Sequence, residues 1–223
     1  MGRLALVFRR WCRLSVLVAY GAVALVVNVS AGEAMAESLR VLALGDSLTA
    51  GYGLPADAAF PVQLEKALRA QGYDVTVINA GVSGDTSAGG RARLDWALAD
   101  KPKFAIVELG ANDGLRGIDP KVTEQNLDAI LTRLKAEGVT VLLTGMLAPP
   151  NYGPDYAESF RQVFVRLAQR HKVAFYPFFL DGIARDPKLN QGDGLHPTRE
   201  GVAVIVNRIL PSVTQVLSNG GPR

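Results

Sequence analysis

Ser47 is the first residue of this 223-residue chain whose type and position could support chemistry. It follows a near-continuous apolar run, residues 41–44, which predicts a strand buried on both faces. A hydroxyl just past the carboxyl end of a parallel strand lies at the edge where α/β sheets bind ligands. Gly-Asp-Ser after a strand is also an ordinary turn or helix cap, so the position alone leaves both interpretations open.

A catalytic Ser47 needs a base, because a serine hydroxyl is a poor nucleophile near neutral pH. The chain has two histidines. His171 lies in the amphipathic segment 166–172, where a surface or helix-end residue is expected, so His196 is the predicted base. Asp193 stands three residues before His196, and a tight turn can bring its carboxylate to the imidazole and fix the tautomer. The alternative for Asp193 is a plain Gly-Asp-Gly turn.

Alternating strands and helices must position these side chains. Apolar runs predict five strands, at residues 41–44, 74–79, 104–109, 139–144 and 173–176. Helical signals predict five helices, from about 61 to 72, 87 to 99 and 119 to 137, then one carrying Phe160 to Leu167 and one carrying Val202 to Val213. This alternation predicts one α/β domain with a five-stranded parallel sheet and helices on both faces.

Four polar stretches fall on loops of this scheme, at residues 45–48, 81–84, 110–113 and 193–196. The first three each follow a predicted strand, so they open at the same edge of the sheet. Three parallel strands that deliver polar groups to one edge favour a shared site over three unrelated turns.

The four stretches resemble the conserved blocks of the SGNH (GDSL) hydrolase superfamily. The matching residues are Gly45-Asp46-Ser47-Leu48, Gly84 within Ser83-Gly84-Asp85-Thr86, Gly110-Ala111-Asn112-Asp113, and Asp193 with His196. Residues 107–117, 150–153 and 177–179 carry a closer resemblance to its secreted bacterial thioesterase, lysophospholipase and arylesterase branch. Ala111 stands where that branch often has a second glycine, which leaves the chemistry alone but can alter how the loop moves.

The resemblance implies a flavodoxin-like three-layer α/β/α sandwich and the hydrolysis of acyl esters or thioesters. It implies a triad of Ser47, His196 and Asp193, with oxyanion donors from the Ser47 and Gly84 backbone N–H groups and the Asn112 amide. We interpret Asp46 and Asp113 as hydrogen-bond acceptors that fix loops.

A further loop after the fourth strand could form an apolar wall for an acyl chain. The residues of this wall would be Met146, Leu147, Pro149, Pro150 and Tyr152. The alternative is a loop that packs its own side chains together.

The first 36 residues read as a secretory signal peptide. Four arginines precede an apolar stretch at residues 14–29, and Ala34-Met35-Ala36 is a small-x-small cleavage site. An uncleaved anchor is the alternative. Cleavage after Ala36 would leave residues 37–223 as a single domain, exported to the periplasm or the medium, with equal numbers of basic and acidic side chains and no cysteine. We therefore expect no nucleic-acid partner, no stable membrane insertion after cleavage, no metal and no cofactor. The resemblance implies small acyl ester or thioester substrates or lysophospholipids, and we expect a monomer.

Three other functions fit parts of the pattern. An α/β-hydrolase shares the Ser, Asp, His order, but its Gly-x-Ser-x-Gly motif is absent at Ser47. A carbohydrate O-deacetylase of the same superfamily stays open, because the fold does not determine the substrate. A non-catalytic flavodoxin-like module that binds flavin or phosphate would explain the glycine loops, but it would not need Asp193 and His196.

Overall fold

A computed structural model of the protein describes residues 38–220. The predicted signal peptide, residues 1–36, and its cleavage site lie outside the described residues. Signal peptide and export therefore stay predictions.

The sheet has five strands that all run parallel. They are β1 (Leu39–Gly45), β2 (Val75–Gly81), β3 (Phe104–Glu108), β4 (Thr140–Thr144) and β5 (Ala174–Tyr176). Their order across the sheet is β2-β1-β3-β4-β5, the flavodoxin-like order. Every side chain of β3 is buried, which is why its first four residues read as a continuous apolar run in the sequence. The five predicted strands are confirmed.

Eight α-helices occur within residues 38–220. They are α1 (Ser47–Ala50), α2 (Phe60–Ala70), α3 (Ser87–Ala92), α4 (Leu94–Leu98), α5 (Ala111–Leu115), α6 (Pro120–Ala136), α7 (Pro154–His171) and α8 (Arg199–Gly220). The single helix predicted at residues 87–99 is wrong, because Arg93 leaves the helical conformation (φ −106°, ψ 6°) and separates α3 from α4. The short helices α1 and α5 carry too few residues for a helical period to show.

The helices form one layer on each side of the sheet. α2 and α8 pack against each other, and α8 also contacts β4 and β5. The other layer contains α3, α6 and α7, with α6 in contact with both of its neighbours. The predicted three-layer α/β/α sandwich with a five-stranded parallel sheet is thus confirmed, and its first and third strands end side by side at the edge that carries the polar loops.

Helix α8 is, among the described residues, the one helix long and apolar enough to cross a membrane by length and composition. Its apolar side is buried in the protein core, where Val202, Ile205 and Ile209 are almost inaccessible to solvent. Because these side chains pack against α2 and the sheet, we regard α8 as a core helix of the domain.

Candidate active site

Ser47 lies at the start of α1, directly after β1. Asp46 caps this helix, because its Oδ1 accepts a hydrogen bond from the Leu48 backbone N–H at 3.0 Å. Gly51 ends the helix in the left-handed conformation (φ 84°). The sharp change from strand to a one-turn helix leaves the Ser47 hydroxyl half-buried at the edge of the sheet.

Ser47, His196 and Asp193 form a continuous hydrogen-bonded array. His196 Nε2 lies 2.9 Å from Ser47 Oγ, and His196 Nδ1 lies 2.6 Å from Asp193 Oδ2. The other carboxylate oxygen of Asp193 accepts the backbone N–H groups of Leu195 and His196, at 2.9 Å and 3.0 Å. These bonds, first the one from the His196 N–H and then the imidazole, lower the pKa of Asp193 to about 2. The geometry places a base next to the serine hydroxyl and an ionised carboxylate behind that base.

The aromatic ring of Tyr52 packs on the imidazole of His196, with ring centroids 4.5 Å apart. This residue comes from the glycine-dotted loop after α1, and Gln191 Nε2 donates to its carbonyl oxygen at 2.8 Å. The contact covers one side of the imidazole. Sequence analysis did not identify Tyr52, since an exposed loop tyrosine carries no distinguishing signal.

Asn112 lies in the first turn of α5, beyond β3, and its amide faces the loops after β1 and β2. Its Nδ2 donates to Asp46 Oδ2 at 3.2 Å and to the carbonyl oxygen of Asp85 at 2.9 Å. Both N–H groups of the amide are therefore occupied in the free protein. The arrangement holds the amide between the serine-bearing loop and the loop that carries Gly84.

Gly84 has a left-handed backbone (φ 86°). A Cβ added at this position would meet no atom within 4 Å, so the backbone conformation rather than crowding inside the protein favours glycine here. The Gly84 carbonyl oxygen accepts a hydrogen bond from Arg116 Nη2 at 2.9 Å.

Asp46 and Asp113 are hydrogen-bond acceptors that fix loops, as predicted from the sequence. Asp113 is buried and accepts the Ser87 N–H at 2.8 Å, together with the hydroxyls of Ser87 and Thr123. This network joins α5 to the start of α3 and to α6.

His171 lies at the end of α7, as predicted, with its Nε2 2.8 Å from Asp128 Oδ1.

Glu108 is a buried acid beneath the site that sequence analysis missed. Its Oε2 accepts the Thr49 hydroxyl at 2.8 Å and the Asp46 backbone N–H at 3.4 Å. Burial and the neighbouring Asp46 carboxylate raise the pKa of Glu108 well above its usual range. Burial likewise raises the pKa of Asp46 to about 6. Glu108 could have been identified in the sequence, because it is a charged residue at the end of an otherwise apolar run.

A cleft of about 550 Å³ opens beside the serine, and Ser47, Asn112 and His196 lie on its lining. Four of the five residues predicted to form an apolar wall also line it: Met146, Leu147, Pro149 and Pro150. Tyr152 does not. Its hydroxyl donates to the Leu115 carbonyl oxygen at 3.0 Å, and its ring packs on Tyr156.

A second part of the cleft lining comes from the irregular segment between β5 and α8. Its lining residues there are Phe178, Leu180, Ala184, Arg185, Asn190, Gly194 and Leu195. Sequence analysis assigned no binding role to this segment apart from His196 and Asp193. Within residues 38–220 there is no group of three or more His, Cys, Asp or Glu side chains placed to hold a metal ion.

Known proteins share both the sequence and the fold. The profile of a family described as "GDSL-like Lipase/Acylhydrolase family" matches residues 43–204. The chain is 42% identical over 183 residues to "Esterase TesA" of Pseudomonas aeruginosa, covering 82% of this chain and 91% of that protein. It is also 42% identical over 168 residues to "Thioesterase 1/protease 1/lysophospholipase L1" of Escherichia coli K12, covering 75% of this chain and 79% of that protein.

Solved structures agree with these matches. The structure titled "Crystal Structure of TesA" superposes with a TM-score of 0.77 at 42% identity, over 80% of this chain and 99% of that chain. A second structure, of the SGNH-hydrolase family esterase AlinE4, gives a TM-score of 0.69 at 46% identity, over 82% of this chain and 98% of that chain. The resemblance inferred from the four sequence blocks is confirmed, and the chain belongs to the GDSL-like lipase/acylhydrolase family of hydrolytic enzymes.

Proposed function

We propose that this protein is a serine hydrolase that cleaves the carboxylic ester or thioester bond of acyl substrates through a covalent acyl-enzyme. The observation that carries the proposal is the array of Ser47 Oγ, His196 Nε2, His196 Nδ1 and Asp193 Oδ2, with contacts of 2.9 Å and 2.6 Å, at the mouth of an apolar cleft. The names of the relatives, which include esterase and thioesterase, support the same class of reaction.

In the first step Ser47 Oγ attacks the carbonyl carbon of the substrate while its proton moves to His196 Nε2. The carbonyl oxygen becomes an oxyanion. Asp193 remains ionised and stabilises the imidazolium through the 2.6 Å bond to Nδ1.

The oxyanion would be bound by the backbone N–H groups of Ser47 and Gly84 and by the amide of Asn112. Both amide N–H groups of Asn112 are already engaged, with Asp46 and with the Asp85 carbonyl oxygen. One of them must therefore turn toward the oxyanion. The longer bond, 3.2 Å to Asp46, is the one we expect to yield, because it is the weaker by distance.

The tetrahedral intermediate then collapses. His196 gives its proton to the leaving oxygen or sulfur, the bond to the acyl carbon breaks, and an acyl ester on Ser47 remains. Water attacks this ester with His196 as base, and a second tetrahedral intermediate releases the carboxylic acid and restores the Ser47 hydroxyl.

The acyl chain would lie along the wall made by Met146, Leu147, Pro149 and Pro150, which line the cleft next to the serine. This largely apolar lining favours an acyl chain over the polar face of a sugar ring.

We further propose that residues 1–36 direct export and are removed after Ala36. N-terminal sequencing of the protein from the cell exterior or the periplasm tests this, and a mature chain that still begins at Met1 would overturn it.

A fluorophosphonate probe tests the proposed chemistry, because it modifies only an activated serine. The protein beginning at Glu37 and its Ser47→Ala variant are treated in parallel and examined by intact mass and peptide mapping. We expect one adduct, on Ser47, that is absent from the variant. Folded protein that takes up no label and hydrolyses no p-nitrophenyl ester would overturn the proposal.

A further inference from the structure

Arg185 is an exposed cation on the lining of the cleft, without a partner among the described residues. Arg185 and His196 are the two titratable side chains on the described lining, and no acid lies there to neutralise the guanidinium. Within residues 38–220, the Arg185 side chain makes no hydrogen bond or ion pair. By contrast, Arg199 and Arg208 on the neighbouring helix each pair with a surface aspartate. An unpaired arginine beside a serine hydrolase site is available to a substrate anion.

The backbone at Arg185 is in the left-handed region (φ 66°), which favours glycine. Two other non-glycine residues share this conformation, Lys101 and Lys172, and both follow the end of a helix. Arg185 instead belongs to the irregular segment that forms one wall of the cleft. Strain of this kind in a non-glycine residue is concentrated at ligand sites, which is a second reason to assign a function to the side chain.

The chemistry of arginine indicates which anion it would take. The guanidinium is planar and always charged, and its paired N–H groups match the oxygens of a phosphate in a bidentate contact. Ser47 and Arg185 line the same space of about 550 Å³, so a phosphate bound at Arg185 would lie within the length of this cleft from the acyl ester.

Two kinds of acyl substrate carry phosphate. In a lysophospholipid, a glycerol backbone alone separates the ester from the phosphate diester. In an acyl coenzyme A, the long pantetheine arm separates the thioester from the nearest phosphate. The size of the cleft therefore favours the lysophospholipid.

The rest of the lining suits the same amphiphile. Three leucines line the cleft, and each is between 42% and 48% exposed: Leu115, Leu147 and Leu195. They offer apolar surface to an acyl chain, while Arg185 offers one positive charge to a headgroup. Arg185 and His196 also belong to the same chain segment, and His196 is the group that protonates the leaving alcohol.

We propose that Arg185 binds the phosphate diester of a lysophospholipid and so makes acyl glycerophosphates preferred substrates over neutral esters of the same acyl chain. This proposal rests on the proposed function above. Arg185 is a specificity residue here, because it contacts the leaving group and takes no part in proton transfer.

The test compares three substrates with the same lauroyl chain, each below its critical micelle concentration: lysophosphatidylglycerol, monoacylglycerol and acyl coenzyme A. Arg185→Ala should lower kcat/KM for the lysophospholipid by about 10- to 100-fold, as for the loss of one charge-assisted contact. It should change kcat/KM for the monoacylglycerol by less than about twofold. Arg185→Lys should retain part of the preference, since it keeps the charge without the bidentate geometry.

Lys188→Ala is the matched control, because Lys188 is an exposed cation of the same segment that does not line the cleft. It should leave all three substrates unchanged. Thermal melting of each variant checks folding, and Arg185→Gln, which keeps the length of the side chain, provides a second neutral variant.

Equal losses on all three substrates, no loss on any, or the same loss in Lys188→Ala would overturn the proposal. A selective loss on acyl coenzyme A would overturn the assignment to a lysophospholipid and place the phosphate on the coenzyme. A parent enzyme that cleaves the monoacylglycerol but not the lysophospholipid would overturn it as well. If the parent enzyme cleaved none of the three substrates and took up no fluorophosphonate, this result would instead overturn the proposed function.

Discussion

Arg93 and Asp85 form an ion pair beneath the site, with Arg93 Nε 2.7 Å from Asp85 Oδ2 and both side chains less than one fifth exposed. The same guanidinium donates through Nη2 to the carbonyl oxygen of Gly45 at 2.8 Å. Gly45 lies two residues before Ser47, and Asp85 directly follows Gly84. One side chain therefore ties together the two loops whose backbone N–H groups we propose as oxyanion donors.

Loss of the Arg93 ion pair and hydrogen bond should affect both stability and turnover. Arg93→Ala leaves the Asp85 carboxylate partly buried without its partner, so we expect the free energy of unfolding to fall by about 2–4 kcal/mol. We also expect kcat to fall by about tenfold or more, because the two donors lose their fixed separation. Urea unfolding and hydrolysis of a p-nitrophenyl ester measure the two effects.

Arg161→Ala is the control for this variant. Arg161 pairs with Glu158 on the surface of α7, where both side chains are about half exposed, and such pairs contribute little to stability. Parental turnover in Arg93→Ala would show that the loops keep their positions without the arginine.

Asn112→Ala tests the amide proposed for the oxyanion. Removal of one oxyanion donor typically lowers turnover by about 10²–10³, and we expect kcat to fall by that factor with KM nearly unchanged. The variant also deprives buried Asp46 of a donor, so a decrease of about 1 kcal/mol in the free energy of unfolding should accompany it. Steady-state kinetics and thermal melting measure both. Turnover close to that of the parent would remove Asn112 from the mechanism.

Much of the fold could be predicted because the relevant signals are local. Buried strands such as β3 appear as apolar runs, and the three-residue spacing of Asp193 and His196 lets one turn bring them together. Short elements gave no such signal. A five-residue helix like α5 holds little more than one turn. Arg93, where the predicted helix breaks, donates to the carbonyl oxygen of Gly45, 48 residues away in the sequence.

The remaining site residues could not be predicted because tertiary contacts decide where they point. Tyr152 stands in the predicted apolar loop, but a hydrogen bond to Leu115 turns it away from the cleft lining. Glu108 becomes a neighbour of Asp46 only when β3 pairs with β1. Arg185 lies in a segment without helical or strand periodicity, so its position in the cleft has no sequence signature.

Activity should decrease on the acidic side of the pH profile. The pKa of Asp193 is about 2, so this carboxylate stays ionised between pH 4 and pH 9. Protonated His196 cannot act as a base, so kcat/KM should decrease toward acidic pH. Initial rates between pH 4 and pH 9 measure it. A flat profile down to about pH 4 would contradict the role of His196 as the base.

Relative to the parent, the Glu108→Gln variant should become more stable as the pH rises. Burial and the neighbouring Asp46 raise the pKa of Glu108 above its ordinary 4.5, so the folded chain holds this proton more tightly than the unfolded chain. The resulting contribution to stability is fully present below about pH 4.5 and decreases as the pH rises toward the raised value. A glutamine at this position does not titrate, so the variant does not lose this stability as the pH rises. The free energy of unfolding of the variant, minus that of the parent, should therefore increase between pH 5 and pH 7.

Glu158→Gln is the matched control, because the pKa of exposed Glu158 is lowered to about 2 by its hydrogen bond with Arg161. In that variant the difference from the parent should change little between pH 5 and pH 7. Urea denaturation at a series of pH values gives both curves. If Glu108→Gln gave a difference independent of pH, Glu108 would have to be ionised in the folded protein.

Gly81, the last residue of β2, lies against the backbone of the segment that carries Ser47. A Cβ at this position would lie 2.3 Å from the Ala50 N atom and 2.9 Å from the Asp46 carbonyl oxygen. Both are backbone atoms, so a rotamer change cannot relieve the contact. Gly81→Ala must instead shift α1, and the Ser47 hydroxyl with it.

We therefore expect Gly81→Ala to lower the free energy of unfolding by about 1–3 kcal/mol, as overpacking typically does. We also expect it to lower kcat by about tenfold to a hundredfold, because a small displacement of a nucleophile from its base is costly. Gly192→Ala is the control, since its Cβ would meet nothing within 4 Å and its φ is not positive. Thermal melting and ester hydrolysis compare the two. A folded Gly81→Ala enzyme with parental turnover would show that the 2.9 Å contact between Ser47 and His196 tolerates movement of α1.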